Sequence, residues 1–196
     1  MAGALASVHD LCCVRGGKML FRGLSFTLSA GELCHVQGAN GIGKSSLIRI
    51  IAGLLQPFSG EVERSAAVAL CDERLPLDMQ LPLRRALGQW ARLDGAASGE
   101  VNDAIALVGL ERLADIPSRL FSTGQRKRAN LARMMISKSP LWLLDEPANG
   151  LDDAGCAMLG AAMERHLGSG GAIVAASHQP LPVAASQSLA LADFVP

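Results

Sequence analysis

Gly38-Ala39-Asn40-Gly41-Ile42-Gly43-Lys44-Ser45 satisfies the phosphate-binding pattern G-x-x-x-x-G-K-[ST] at every fixed position. Its glycines strip away side chains, so that successive backbone N–H groups can converge on phosphate oxygens. A helix opening at Ser45 aims the positive end of its dipole at the same point. Lys44 supplies a point charge for the β- and γ-phosphates, and the Ser45 hydroxyl is suited to Mg²⁺, with Ser46 following in the first helical turn. The expected ligand is a nucleoside triphosphate.

Three further groups bear on what happens to that phosphate. Leu143-Leu144-Asp145-Glu146-Pro147 sets two carboxylates at the C-terminal end of an apolar strand, the end at which open α/β sheets bind ligands. Neighbours on an extended segment point different ways, so Asp145 is expected to organise Mg²⁺ and Glu146 to activate water as general base. In isolation two such acids would simply be a solvated strand end; the presence of Lys44 favours the chemical reading. Phe121-Ser122-Thr123-Gly124-Gln125 reads locally as a helix start capped by Ser122, and equally as a second anion-binding helix terminus. His178, just past another apolar run, is either an ordinary surface or core histidine or a donor to the γ-phosphate.

The elements needed to position these groups are visible in the periodicity. Ala4 to Val14, Leu24 to Leu28 and Leu33 to Gln37 read as strands, with turns at Gly16-Gly17 and Ala30-Gly31. The helix after the glycine loop carries an apolar band, Leu47, Ile48, Ile50, Ile51, Leu54 and Leu55, and Gln56 to Gly60 stops it. Helical spacing over Leu83 to Leu93, Glu100 to Leu110 and about Gly124 to Ser137 predicts a helical middle. In the last of these, Leu131, Met134 and Met135 share one side, with Arg126, Lys127, Arg128 and Arg133 largely elsewhere. Leu141 to Leu144 and Ala172 to Ser177 are runs of the kind buried in a parallel sheet, with a helix over Ala154 to Leu167 between them. The expectation is one domain over residues 1–196, an α/β core with a β-rich start and a helical subdomain inserted at about 80–137.

Composition removes several alternatives. With 49% hydrophobic and 18% charged residues, 196 residues suffice for a substantial core. Eighteen basic and eighteen acidic side chains cancel, which leaves no electrostatic footprint for nucleic acid; Arg126-Lys127-Arg128 reads as a solvated helix face or a subunit contact. No apolar run is long enough to span a bilayer, and Met1 to Asp10 lacks the character of a signal peptide, so a cytoplasmic location is expected. Cys12, Cys13, Cys34, Cys71 and Cys156 have neither zinc nor haem-attachment spacing and read as small buried hydrophobes.

Taken together and in this order, the glycine loop, Phe121 to Gln125, Asp145-Glu146 and His178 make the chain resemble the ATP-binding cassette family, whose signature is Leu-Ser-Gly-Gly-Gln followed by a helix. The resemblance implies a P-loop NTPase core of ABC ATPase type with an N-terminal antiparallel β subdomain and an inserted helical subdomain. It also implies an ATPase using ATP and Mg²⁺, with Glu146, His178 and Lys44 catalytic, Gly38 to Ser46 and Ser122, Thr123, Gly124 and Gln125 binding nucleotide, and Ser45 and Asp145 on the metal. The last set would cap ATP bound by a second copy in a head-to-tail dimer, with Asn149-Gly150-Leu151-Asp152 touching that copy.

Leu24 to Leu28 leading into Ala30-Gly31-Glu32-Leu33, Thr123 within the signature, Ser139 to Pro147 and Ser177-His178-Gln179-Pro180-Leu181 are similar to one branch, the ATPase subunits of haem exporters in cytochrome c biogenesis. That likeness implies peripheral attachment at the cytoplasmic face of the inner membrane, to integral subunits resembling CcmB and CcmC. Another transporter branch, or a soluble clamp in translation or DNA repair, remains the alternative; such clamps usually carry two cassettes or a long coiled-coil insertion, and neither is present here.

The chain departs from the family pattern at three places. No tyrosine exists to stack on adenine, and the corresponding turn reads Cys12-Cys13-Val14-Arg15-Gly16; Arg15 either stacks on the base or is a solvated turn residue. The usual glutamine after the next strand is missing from Cys71-Asp72-Glu73-Arg74, where Glu73 is either a water or Mg²⁺ contact or a solvated acid. Phe121 replaces the signature leucine, which preserves apolar packing.

Overall fold

The computed structural model describes residues 3–196, arranged as two sheets with helices on both sides of the larger one. β1 (Ala4–Arg15), β2 (Lys18–Ser29) and β4 (Ser59–Arg64) form an antiparallel sheet in the order β2-β1-β4. β3 (Leu33–Gln37), β5 (Val68–Cys71), β6 (Leu141–Asp145), β7 (Ala172–Ser177) and β8 (Gln187–Ala190) form a parallel sheet in the order β5-β6-β7-β3-β8. Strands β6 and β7 are buried along their whole length because both faces are covered, which explains their unbroken apolar sequence.

The period of two divides each strand between two cores. Leu141 and Leu143 of β6, with Val174 and Ala176 of β7, face α1 (Lys44–Ile51) and the antiparallel sheet. Trp142 and Leu144, with Ile173 and Ala175, face the other helices: α2 (Leu83–Asp94), α3 (Ser98–Leu107), α4 (Thr123–Ile136) and α5 (Asp153–Gly168). Between β5 and β6 the chain is helical, made of α2, α3, α4 and the short 3₁₀ turns Glu111–Leu113 and Ser118–Leu120.

Strand β1 lies against β4 with a kink at His9–Cys12, where β4 comes unusually close. Gly60, at φ 87°, makes that approach possible, since a Cβ there would fall 2.4 Å from the Asp10 carbonyl oxygen.

Four expectations are corrected. β2 begins at Lys18, six positions before Leu24, because the Gly16-Gly17 turn returns the chain directly into pairing with β1. Helix α1 ends at Ile51, and Leu54 is 69% exposed, outside the apolar band. Of the cysteines, Cys13 and Cys34 are buried, whereas Cys12, Cys71 and Cys156 are half-buried; all five are free thiols. Arg133 lies inside, 5% exposed, its guanidinium 5.0 Å above the Trp90 ring and hydrogen-bonded to the Leu70 carbonyl. Its long stem and delocalised charge allow a burial that charge alone argues against.

Candidate nucleotide site

The loop from Gly38 to Ser45 leaves the end of β3 and closes over the start of α1. Gly38, Gly41 and Gly43 have φ of 154°, 80° and 120°, and a Cβ on Gly38 would meet Ile42 Cγ2 at 2.9 Å. Glycine is therefore required by space as well as by conformation at this bend. No side chain caps α1, so its first N–H groups stay available to an anion.

Lys44 is 5% exposed and folds back over the loop, where Nζ donates to the Gly38 carbonyl at 2.8 Å and the Ala39 carbonyl at 3.2 Å. It also lies 3.2 Å from Glu146 Oε1. Glu146 Oε2 in turn lies 2.8 Å from His178 Nδ1, so the carboxylate bridges the ammonium and the imidazole. Burial would raise the Glu146 carboxyl, but hydrogen bonds from Lys44 and His178 outweigh it and hold the group below the ordinary glutamate value. These bonds keep Glu146 ionised.

The way Asp145 and Glu146 diverge differs from simple strand alternation. β6 ends at Asp145, and Glu146 takes φ 49°, with its N–H bonded to the Ala176 carbonyl at 2.8 Å. A left-handed turn at a non-glycine residue thus carries the Glu146 side chain over to Lys44 and His178. Asp145 stays in the sheet, 7% exposed, with its carboxyl pushed up by burial and held down in part by the Ser45 hydroxyl.

Lys44, Glu146 and His178 line a cavity of about 470 Å³, and Asp145 lies behind Ser45 outside its lining. Asn40, Gly41, Gly43, Lys44, Ser45 and Ser46 form one wall, and Glu146 and His178 face them. Glu73, Asn149, Arg15 and Leu20 also line the cavity. Nothing in the local sequence marks Leu20 as a site residue.

Ser122, Thr123, Gly124 and Gln125 lie elsewhere. Ser122 Oγ accepts from the Gln125 N–H at 3.3 Å, and Gln125 Oε1 accepts from the Ser122 N–H at 2.9 Å, a reciprocal cap on α4. Thr123 opens onto a different cavity, with Glu73 and Arg126. One chain therefore gathers Lys44, Ser45, Asp145, Glu146 and His178 and leaves the Ser122–Gln125 segment facing outward. Asp152, expected at a subunit contact, here caps α5 through the Gly155 N–H at 2.9 Å and pairs with Arg128 at 2.7 Å.

Residues 21–149 match the family model described as ABC transporter, a span that holds the glycine loop, the Ser122 segment and both acids. The chain belongs to the ABC transporter family. Curated relatives from that family include the cytochrome c biogenesis ATP-binding export protein CcmA of Novosphingobium aromaticivorans, 55% identical over 95% of this chain and 95% of the relative. The CcmA of Zymomonas mobilis subsp. mobilis is 52% identical over 98% of this chain and 86% of the relative. Among solved structures, an ATP-binding subunit of an ABC transporter superposes with a TM-score of 0.80 at 25% identity, over 89% of this chain and 79% of that one. As a member of the family the chain is an ATP-binding subunit and an ATPase. No helix among the described residues is long and apolar enough to cross a membrane.

Proposed function

We propose that this chain hydrolyses ATP to drive an export complex of cytochrome c biogenesis, working as a head-to-tail dimer on the cytoplasmic face of the inner membrane. The observation that carries the catalytic reading is the Glu146 carboxylate, held between Lys44 and His178 at the mouth of an uncapped helix. The glycine loop binds the phosphates, Lys44 moves from Glu146 to the β- and γ-phosphates, and His178 donates to the γ-phosphate. Glu146, released from Lys44, takes the proton of the attacking water.

Asp145 and Ser45 fit a hard divalent cation. Both offer oxygen, and Asp145 Oδ1 is buried with no hydrogen-bond partner. Mg²⁺ bound there would neutralise charge on the phosphate oxygens.

The outward-facing Ser122–Gln125 segment supports the dimer, since it lies outside the lining of its own chain's nucleotide cavity and is free to meet a γ-phosphate bound by another copy. In that arrangement hydrolysis removes contacts that hold the two copies together, and opening is the mechanical output. Membrane subunits resembling CcmB and CcmC are the proposed recipients, a reading that rests on the CcmA relatives. Co-expression tests it: the chain should copurify from detergent-solubilised membranes with CcmB- and CcmC-type subunits encoded by its own genome. Recovery of the chain with none of them, or with an unrelated transporter, would contradict the assignment.

A further inference from the structure

His178 is shared between two cavities. Its Nδ1 lies on Glu146 in the nucleotide site, and the residue also lines a separate cavity of about 500 Å³. That second cavity goes with the connection from β7 to β8. The two strands lie on either side of β3, and the chain crosses from Ser177 to Gln187 without a helix, a shorter path than the roughly a dozen residues such a crossover usually takes. Of the residues lining the cavity, His35 and Ser177 are buried, and Gln37, Gln179 and Ser188 are exposed, so it runs from the edge of the core to solvent. His35 is 7% exposed, and its Nδ1 lies 3.1 Å from Gln37 Nε2, with the amide donating. Burial lowers the pKa of the ring from 6.5, and the Ser177 carbonyl and Glu146 only partly oppose this. The neutral ring therefore carries its hydrogen on Nε2, a buried donor with no hydrogen-bond partner. No carboxylate lines this cavity, whereas Glu73 and Glu146 line the nucleotide site.

We propose that this cavity is the exit for inorganic phosphate, with His178 as the partition between it and the nucleotide site and His35 Nε2–H as the donor that meets the departing ion. The inference rests on the catalytic reading above. In that reading a second copy covers the γ-phosphate, so phosphate cut from ATP cannot retrace the path of entry while the copies stay together. The oxygen of water joins the γ-phosphorus as the bond to the ADP oxygen breaks, and the water proton passes to Glu146, which neutralises the carboxylate beside His178. Lys44 and the start of α1 keep hold of ADP. The phosphate, hydrogen-bonded to His178, meets on the other side of that ring the His35 donor, the hydroxyls of Ser177 and Ser188 and the amides of Gln37 and Gln179, with no acid to repel it. Neutral donors draw an anion in and hold it weakly enough to let it leave, which suits a passage.

A single turnover of the full-length chain with Mg-ATP tests the exit, with cleavage followed by chemical quench and release by a fluorescent phosphate-binding protein. In wild type, release should follow cleavage closely and precede the loss of dimer mass in light scattering. Ser188→Trp, which fills the exposed side of the cavity, and His35→Phe, which removes the buried donor, should each slow release by about tenfold relative to cleavage. Ser188 is exposed, so its variant decides the matter even where His35→Phe fails to fold. Release unchanged in Ser188→Trp, or release in wild type only as the dimer separates, refutes the exit. So does cleavage slowed as much as release, which would tie the cavity to the chemical step. A wild-type chain that binds Mg-ATP without cleaving it would overturn the catalytic reading, and the exit with it.

Discussion

Changing Glu146 to Gln should tighten ATP binding while stopping hydrolysis, and the size of the gain follows from the nucleotide-free geometry. Lys44 Nζ and Glu146 Oε1 are 3.2 Å apart, with side chains 6% and 15% exposed, so ATP must break this ion pair before the ammonium can reach phosphate. At an effective dielectric of about 20, unit charges about 4 Å apart attract by about 4 kcal/mol. Most of that is offset, because the pair has already lost solvation and Lys44 keeps its bonds to the Gly38 and Ala39 carbonyls when Glu146 is neutralised. A net release of about 1.4 kcal/mol corresponds to about tenfold tighter ATP binding. Removing a carboxylate beside the γ-phosphate acts in the same direction. ADP, which lacks that phosphate, should gain less. Calorimetric titration of wild type and Glu146→Gln with both nucleotides and Mg²⁺ reads these quantities. ATP affinity unchanged or weakened in the variant, or an equal gain for ADP, would show that Glu146 does not compete with the γ-phosphate for Lys44; steady turnover at the wild-type rate would remove Glu146 as the general base.

Two further expectations concern the scaffold. Arg133→Ala removes the contact with Trp90 and the donor to the Leu70 carbonyl and leaves a cavity, so chemical denaturation should report a loss of about 3 kcal/mol. His166 stacks on Trp142 with ring centroids 4.0 Å apart, and its Nε2 bonds the Pro140 carbonyl at 3.0 Å; burial lowers its pKa from 6.5, the carbonyl bonds only partly opposing this. The unfolded chain therefore takes up this proton first as pH falls, so the stability gained from neutral His166 is present above 6.5 and declines below it. Denaturation midpoints measured between pH 7.5 and 5 should show a shallower decline in His166→Phe than in wild type.

What the sequence discloses depends on where each constraint resides. β6 and β7 are legible because burial on both faces demands unbroken apolar runs, β3 because its short segment before the glycine loop alternates, and α4 from the Ser122 and Gln125 cap. The loop from Gly38 to Ser45 is legible because one continuous segment must meet one ligand. Arg133 is not, since its partners Trp90 and the Leu70 carbonyl come from other elements and the residue alone reads as solvated. Nor is Leu20, which enters the cavity through a register shift between two strands, a property of their pairing. The Glu146–His178 contact is intermediate: each residue stands out at the end of its own strand, but only the parallel pairing of β6 with β7 brings them together. The positive φ at Glu146 has no sequence marker, because glycine would be the usual occupant.

If a second copy completes the site, the ATP-bound particle has twice the mass of the free chain. Light scattering on Glu146→Gln with saturating Mg-ATP should give twice the monomer mass. The same variant carrying Ser122→Arg should remain a monomer while still binding ATP. A Glu146→Gln chain that stays monomeric at saturating Mg-ATP, or a Ser122→Arg chain that dimerises undiminished, would mean that the site is not shared between two copies.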